Sequence, residues 1–293
     1  MNRKDFLKRS LIIWGLLATS SPQSFARKRK MSVRLIRHAT LWIEIGGVNL
    51  LVDPMLSPKD AMAPVQNAGN NYRIPMVDLP LSSDEIKSLV SQCDAVLVTH
   101  THRDHWDSEA HAMIPKNKPI FCQPSDLEKI RELGFENAVA IASDYAFKGL
   151  SITRTGGQHG TGEIGQLMGA VSGFVVGAGK DKLYIAGDTI WCSEVETAIV
   201  THKPATIVVN AGAAQFLKGD PITMTLPDIE KVLQASGKAK VIAVHMDTVN
   251  HCLLHKADVT KYASENNHAK RLLVPADGEV ISVQLLTFPY QVK

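Results

Sequence analysis

The sequence predicts an α/β domain made of two similar halves, each a β-sheet covered by helices on one face. Gly46-Gly47 separates two apolar segments, which is typical of a hairpin, and the segment 179–182 separates a second such pair. After each hairpin, strands alternate with helices, as in sheets that carry helices on their outer face. No Pro-, Gly- or Ser-rich linker divides the sequence after residue 30. We therefore expect residues 27–293 to form one domain.

The first half begins with three short apolar segments and continues with helices that have recognisable caps. Ser82 or Ser83 can cap a helix that reaches Val90, and Gly134 can end a helix that begins at Ser125. The strands expected here are 33–36, 41–45, 48–52, 95–98, one near Val139, and 150–153. Residues 54–81 are rich in Pro, Asn and Gly without periodicity, which predicts a functional loop or lid bordering a pocket.

The second half begins with a glycine-rich segment, 160–173, that we interpret as a mobile flap. Its glycines lack the spacing and the strand-to-helix context of a phosphate-binding loop, so a nucleotide site is not expected. Pro227 can open a helix that Gly237 closes. The other elements expected are strands 174–176, 183–186, 207–209, 241–244, 272–274 and 280–283, and helices 193–200 and 258–265.

Charge and composition exclude several classes of protein. The chain has 293 residues, 45% hydrophobic and 21% charged, which is ordinary for a globular domain and excludes disorder, collagen and coiled coil. The formal net charge of +3 comes entirely from the basic residues near the N-terminus, so the remainder is neutral. A neutral body offers no broad surface for a polyanion, and we expect no nucleic-acid partner.

The first 26 residues have the pattern of a signal peptide, with a basic start, an apolar stretch at 11–18 and a polar segment ending at Ala26. The apolar stretch is far shorter than the roughly 20 residues that cross a bilayer, so no stable membrane span is expected after cleavage. Arg3 to Lys8 resembles the twin-arginine export motif, with Lys4 at the second arginine position. We expect a periplasmic or secreted chain that starts near Arg27, exported by a twin-arginine-like or general secretory route. An amphipathic helix of a cytosolic protein is the alternative.

Four cysteines, Cys93, Cys122, Cys192 and Cys252, would permit two disulfides but form no dense framework. Free cysteine behaves as a small buried hydrophobe. We interpret all four as buried residues, with disulfides as the open alternative for Cys93 and Cys122 and metal binding for Cys192 and Cys252.

The segment His100-Thr101-His102-Arg103-Asp104-His105 follows a predicted strand and concentrates three histidines and an aspartate within six positions. Alternate residues of an extended segment point the same way, so His100 and His102 can bind one cation. Asp104 and His105, at the turn, can bind a second. Imidazole and carboxylate ligands suit zinc, iron, manganese or nickel, and the absence of cysteine argues against a closed structural zinc site.

Three further candidate ligands lie at or beside the ends of other strands. His159 lies in a Gly-rich turn, Asp188 follows a strand in Gly187-Asp188-Thr189, and His245 closes the strand 241–244. Sites built at the rim of a sheet take their ligands in this way.

The order of these motifs resembles that of the metallo-β-lactamase superfamily over residues 31–293. Its fold is a four-layer αββα sandwich. Leu51-Val52-Asp53-Pro54, Trp106 and the segment 244–252 look most like its metal-dependent hydrolase branch, which includes ascorbate-6-phosphate lactonases. By the superfamily's motif, the first metal would be held by His100, His102 and His159, the second by Asp104, His105 and His245, with Asp188 bridging both.

The resemblance implies two divalent metal ions, zinc first with manganese or iron as alternatives, and hydrolysis by a hydroxide held between them. Asp104 would be the catalytic proton acceptor and donor. Asp53 could hold a ligand histidine through its second ring nitrogen, or could simply end a strand in an Asp-Pro turn. His251 could contact the substrate or be an ordinary loop histidine, and Trp106 could line the pocket or the core. The lone His38, His111, His202 and His268 are expected to be solvated or locally hydrogen-bonded.

The function expected is that of an exported metal-dependent hydrolase that cleaves an ester, lactone, amide or phosphoester of a small molecule. A non-catalytic metal-binding protein on the same scaffold is the first alternative. A flavodiiron-like oxidoreductase is the second, although that class normally has a glutamate in the motif and an attached flavin module. Substrate and oligomeric state are not determined by the sequence, because specificity depends on loop shape.

Overall fold

Two seven-stranded sheets account for the strands of the computed structural model, which describes residues 31–283. The predicted signal peptide lies outside the described residues. The first sheet contains β1 (Met31–Arg37), β2 (Thr40–Ile45), β3 (Val48–Val52), β4 (Ala95–Val98), β5 (Ile120–Cys122) and β6 (Ala138–Ala140). The second contains β7 (Asp144–Phe147), β8 (Leu150–Thr155), β9 (Gly173–Ala178), β10 (Asp181–Ile185), β11 (Thr206–Asn210), β12 (Lys240–Val244) and β13 (Leu272–Leu273). The last strand, β14 (Val280–Val283), returns to the first sheet and pairs with β1.

Both sheets follow the same plan, antiparallel first and parallel afterwards. β1, β2 and β3 pair as antiparallel neighbours, and β3 to β6 are parallel. In the second sheet β7 to β10 are antiparallel, and β10 to β13 are parallel. The two predicted hairpins and the predicted division into two similar halves are confirmed.

Helices cover one face of each sheet. On the first sheet lie α1 (Ser83–Gln92), α2 (Ser108–Met113) and α3 (Leu127–Glu132), and on the second lie α5 (Ser193–His202), α6 (Leu226–Ala235) and α7 (Lys256–Glu265). A short helix, α4 (Gly162–Met168), follows β8 and contains no buried residue. α1 begins where the sequence predicts, because the Ser82 side chain accepts from the backbone of Glu85 and Glu85 accepts in return.

The period-2 alternation of each strand sends side chains to two different cores. Leu50 and Val52 of β3 face the second sheet, whereas Leu51 faces the helices. The core between the sheets also includes Phe174 of β9 and Ile242 of β12. The result is the predicted four-layer sandwich of helix, sheet, sheet and helix.

The loop 54–81 is tied to the body of the protein by buried polar groups. The Arg37 guanidinium is fully buried and donates to the carbonyls of Met55 and Ser57 at 2.9 and 2.8 Å and to that of Val77 at 3.1 Å. The Asn250 side chain accepts from the Val65 backbone at 2.8 Å and donates to the carbonyl of Asn70 at 2.9 Å. These contacts anchor both ends and the middle of the loop.

All four cysteines are buried and free. Among residues 31–283, no helix combines the length and the apolar character needed to cross a membrane.

Candidate metal centre

The seven predicted ligands meet at one edge of the sandwich, where the carboxyl ends of neighbouring strands converge. His100 to His105 follow β4, His159 follows β8, Asp188 follows β10 and His245 follows β12. Both sheets therefore contribute ligands. The site cannot form until the two halves have packed together.

The first group of ligand atoms comes from His100, His102 and His159, which lie within 4.8 Å of one another. His100 Nε2 and His102 Nδ1 are 3.0 Å apart. His100 and His159 are buried and His102 is half-buried, so the group opens to solvent on the His102 side. The structure brings together the three residues that the motif assigns to one metal.

The second group comes from Asp104, His105 and His245. His105 Nε2 lies 3.2 Å from His245 Nε2, and Asp104 Oδ2 lies 3.5 Å from His245 Nε2 and 3.8 Å from His105 Nε2. Nitrogen and oxygen ligands that share a divalent ion approach one another at such distances.

Asp188 lies between the two groups. Its Oδ2 is 3.2 Å from His105 Nε2 and 3.6 Å from His159 Nε2, and its Oδ1 is 3.3 Å from His245 Nε2. The Asn210 amide donates to Oδ1 at 2.6 Å, which fixes the carboxylate. A single carboxylate thus reaches both groups, as the bridging position requires.

The second ring nitrogen of three ligand histidines is held by a neighbour. Asp53 Oδ2 lies 2.9 Å from His105 Nδ1, the carbonyl of Ile222 lies 2.8 Å from His159 Nδ1, and Thr99 Oγ1 lies 3.1 Å from His100 Nδ1. Metal-binding histidines usually have such partners, which set the ring orientation and the tautomer. Asp53 occupies the supporting position that the sequence left open, and its other oxygen accepts from the Thr99 backbone at 2.7 Å.

His38 belongs to this site, and the expectation that it is solvated or only locally bonded is wrong. It is buried, its Nε2 lies 3.2 Å from Asp104 Oδ2, and its ring centroid lies 3.7 Å from that of His245. It groups with Asp104, His105 and His245 as a potential ligand set. A lone histidine in the β1–β2 turn carries no spacing signal, so only the packed structure identifies it.

Three non-glycine residues of the site have left-handed backbone conformations. His38 has φ +60°, Asp53 has φ +43° and His245 has φ +66°. Each such residue costs on the order of 1 kcal/mol or more and persists only where its surroundings fix it. The His245 backbone N–H donates to the carbonyl of His38 at 3.0 Å, which links two of the three. The strained positions coincide with the side chains that converge on the site.

The electrostatics of the cluster fit a divalent cation. Burial alone would raise the pKa of Asp104 and of Asp188, but the charge of His105 and hydrogen bonds from His245 lower both well below their usual value. Burial would lower the pKa of His105, yet Asp188 and Asp104 raise it to about 10. Two buried carboxylates thus require positive charge beside them, which a divalent metal would supply.

His251 and Cys252 lie beside the cluster without joining the ligand set. His251 is buried, and burial, helped by the charge of His245 and opposed by that of Asp104, lowers its pKa to about 4. Cys252 Sγ lies 3.6 Å from His245 Nδ1, so it contacts a predicted ligand through a ring nitrogen. Trp106 packs into the helix-side core against Phe135, which makes it a core residue and not a pocket wall.

A pocket of about 100 Å³ opens beside His100 and His102, between Lys129 of α3 and Met168 of α4. A larger cavity of about 970 Å³ lies at the amino ends of β11 and β12, among Pro204 and Lys240. It contains none of the predicted ligands, which lie at the opposite ends of these strands. The smaller pocket is the one that adjoins the predicted metal ligands.

Comparison with known proteins agrees with this geometry. Residues 48–246 match the family described as the beta-lactamase superfamily domain, a segment that contains all seven predicted ligands. The chain belongs to the beta-lactamase superfamily. Bacillus subtilis UPF0173 protein YddR is 38% identical over 85% of this chain and 98% of its own length.

Two solved structures superpose on this chain with a TM-score of 0.82. One is an isothiocyanate hydrolase from Delia radicum gut bacteria, 35% identical, which covers 87% of this chain and 100% of its own. The other is a possible metal-dependent hydrolase from Veillonella parvula, 39% identical with the same coverage. The four-layer fold and the class of metal-dependent hydrolase are therefore established for this superfamily member, while the lactonase-like branch stays a prediction.

Proposed function

We propose that this chain is an exported hydrolase that uses two divalent metal ions, zinc first, to cleave an ester, lactone, amide or phosphoester of a small molecule. The observation that carries the proposal is the position of Asp188, whose two oxygens lie within 3.6 Å of ligand nitrogens from both groups. Seven ligands shared through one carboxylate suit two ions better than one. When bound, the ions would supply an activated water and polarise the scissile group.

Each residue has a separate task in this proposal. His100, His102 and His159 would hold one ion, and Asp104, His105 and His245 the other. Asp53 keeps His105 in the tautomer that leaves Nε2 free to ligate. The side chain of Asp104 is 12% exposed and that of Asp188 is 3% exposed, so Asp104 is the more accessible of the two carboxylates. It would take the proton from the activated water and pass it to the leaving group.

Isothiocyanates are a second candidate class of substrate. The similarity to the isothiocyanate hydrolase supports this class, because that enzyme is 35% identical to this chain over 100% of the enzyme's own length. Hydrolysis adds the oxygen of water to the central carbon of R–N=C=S, and the carbon–nitrogen bond then breaks to release R–NH₂ and carbonyl sulfide. The two protons of water end on the amine nitrogen, so the reaction needs no redox partner.

The test is metal analysis combined with a substrate panel. We expect about two metal ions per chain, and turnover of at least one member of a panel of lactones, esters, amides, phosphodiesters and isothiocyanates. Removal of metal by a chelator should abolish turnover, and adding back Zn²⁺, Mn²⁺ or Fe²⁺ separately should identify the preferred ion. One ion per chain at saturation would contradict the dinuclear proposal, and turnover that survives complete metal removal would contradict metal dependence.

Export is tested separately by N-terminal sequencing of the chain recovered from its native host. The proposal expects a mature protein starting at or near Arg27 in the periplasm or the medium. Recovery of intact Met1 from the soluble cytosolic fraction would contradict it.

A further inference from the structure

Three half-buried apolar side chains lie beside the metal centre on one shared cluster. Ile164 and Met168 of α4 and Phe216 of the segment after β11 pack on a small apolar cluster under the site. Two members of that cluster contact predicted ligands, because Ile222 accepts from His159 and Cys252 meets His245. We call Ile164, Met168 and Phe216 the apolar wall. It is continuous with the metal centre through this shared cluster.

The wall approaches the residues of the site at two points. Met168 lines the pocket that contains His100 and His102. At the other end, the Phe216 ring centroid lies 5.5 Å from that of His251. A molecule held at the metal centre would therefore have apolar surface beside it between these two points.

Further apolar side chains are exposed on the segments that carry the wall. Leu167 is 76% exposed next to Met168, and Leu217 is 71% exposed next to Phe216. The Leu217 backbone N–H donates to the carbonyl of Asn67 at 2.7 Å, which joins this segment to the loop 54–81, where Tyr72 is 67% exposed. Exposed apolar side chains that form a contiguous patch mark interaction or ligand-binding sites.

Glycines hold α4 close to the site, which explains the glycine-rich segment that the sequence presents. Gly160 has φ +94°, and a Cβ there would lie 2.8 Å from Ile222. A Cβ at Gly165 would lie 2.7 Å from the carbonyl oxygen of Gly160. Larger residues would push α4 away from Ile222 and the metal centre. The segment therefore places Ile164 and Met168 at the site as part of a helix.

A polar group beside the apolar wall is provided by His251, next to Phe216. Its side chain is buried, and its Nδ1 has no hydrogen-bond partner among residues 31–283. Burial keeps the ring neutral, since its pKa is lowered to about 4. A neutral imidazole offers one N–H donor and one acceptor nitrogen. Such a group can pair with the polar head of a substrate without bringing a charge to it.

We propose that the substrate is a small electrophile with an alkyl or aryl tail, bound with its tail on the apolar wall and its polar head near His251. This inference rests on the proposed hydrolase function and adds to it the class of substrate. Phe216 and Met168 then determine specificity for the tail, and His251 contacts the head.

The experiment measures kcat/KM for two homologous series, n-alkyl isothiocyanates and p-nitrophenyl esters, with chains from two to six carbons. Burial of one methylene contributes about 0.8 kcal/mol, which is about fourfold in kcat/KM at full burial. We expect kcat/KM to rise by about two- to fourfold per carbon until the wall is covered. Phe216→Ala and Met168→Ser should flatten this slope. Phe216→Leu, which keeps an apolar side chain, should retain most of it.

Val200→Ala is the matched control, because Val200 is 58% exposed on α5 and lies outside the mouth. It should leave the slope unchanged. His251→Asn should lower kcat/KM by a similar factor for every chain length, since the head is common to the series. All variants are compared by circular dichroism and metal content, so that loss of fold or of metal is detected directly.

The outcomes separate the two proposals. If neither series nor any other substrate of the panel is turned over, the hydrolase proposal fails. Turnover with a slope independent of chain length, or a slope that Phe216→Ala leaves intact, overturns the apolar-tail proposal alone. If size-exclusion chromatography shows that Phe216→Ala breaks a dimer while the slope persists, the wall is an interface between copies, and the proposal is likewise overturned.

Discussion

The Nε2 atom of His38 lies 3.2 Å from Oδ2 of Asp104, across 66 positions of the chain. The two residues that flank this turn, Arg37 at the end of β1 and Thr40 at the start of β2, also support the site. Arg37 binds the backbone of the loop 54–81, and the Thr40 hydroxyl donates to the carbonyl of Asp53 at 2.8 Å. One tight turn between β1 and β2 therefore positions the loop, a ligand carboxylate and the partner of a ligand histidine.

His38→Ala should weaken metal binding by the Asp104, His105 and His245 group. Removing a side chain that orients a metal ligand typically reduces affinity 10- to 100-fold. Competition titration against a chelating dye would measure this, with affinity at the other group nearly unchanged. His38→Gln, which keeps an N–H donor, should recover part of the loss. His268→Ala is the control, because His268 pairs with Glu230 far from the ligands. If His38→Ala bound metal at both groups with wild-type affinity, His38 would have no role in metal binding.

Asp104→Asn should separate proton transfer from metal binding. Asparagine keeps a ligand oxygen and nearly the same volume but cannot accept the proton. A general acid–base contribution is typically 10²- to 10⁴-fold in turnover. We expect kcat to fall by that order while metal content falls less. A folded, metal-loaded Asp104→Asn enzyme with near-normal kcat would exclude the proton-transfer task.

Asp188→Ala should weaken metal binding at both ligand groups, whereas His159→Ala should weaken it at one. The reason is geometric, since Asp188 lies within 4 Å of nitrogens from His100, His159, His105 and His245. Metal stoichiometry at a fixed free-metal concentration distinguishes the two patterns. Equal losses in the two variants would mean that Asp188 does not bridge.

The regular parts of the fold could be predicted from the sequence because their signals are local. Val48–Val52 and Ala95–Val98 coincide with β3 and β4. The structure adds β5, β7, α2 and α4, which were not expected. β5 is apolar throughout but has only three residues, too few to show a periodicity, and β7 is a half-exposed edge strand. α4 buries no residue and is rich in glycine, so its position depends on packing against Ile222.

Some residues of the candidate site could likewise be predicted from the sequence, and others could not. His100, His102, Asp104 and His105 are recognisable because their spacing is compact, and the three more distant ligands because each follows a strand. His38 has neither signal, and its approach to Asp104 depends on how the β1–β2 turn meets the end of β4. The contacts of Thr99 with His100 and of Ile222 with His159 could not be predicted from the sequence either, because they involve a hydroxyl and a backbone carbonyl.

Asn250→Ala should loosen the loop 54–81 and change substrate preference more than stability. The Asn250 side chain forms three hydrogen bonds to the backbone of Val65 and Asn70. Each bond contributes about 1 kcal/mol, but the loop borders the mouth and is remote from the sheet cores. Hydrogen exchange of residues 62–72 should increase, and the ratio of kcat/KM between two substrates should shift. Unchanged exchange and unchanged ratios would show that the loop holds its shape without Asn250.

Acid should destabilise the protein in part through Glu230. The Tyr262 hydroxyl, which donates at 2.6 Å, and His268 lower the Glu230 pKa below its usual value. A carboxylate with a depressed folded-state pKa contributes stability that is complete above its unfolded value, about 4.3, and is lost as pH falls through the folded value. Urea unfolding between pH 6 and pH 3 should show a smaller acid loss for Glu230→Gln than for wild type. If the free energy of unfolding fell equally with pH in Glu230→Gln and in wild type, this prediction would be wrong.

The pairing of β1 with β14 places Met31 directly opposite Val283. A few added residues would therefore close residues 31–283 into a ring, and the chain could be reopened in the exposed segment between β6 and β7. Such a circular permutant would begin with the half that carries His159, Asp188 and His245 and end with the half that carries His100 to His105. All adjacent strand pairs would be retained in it, so it should assemble the same ligand set although the order of synthesis is reversed.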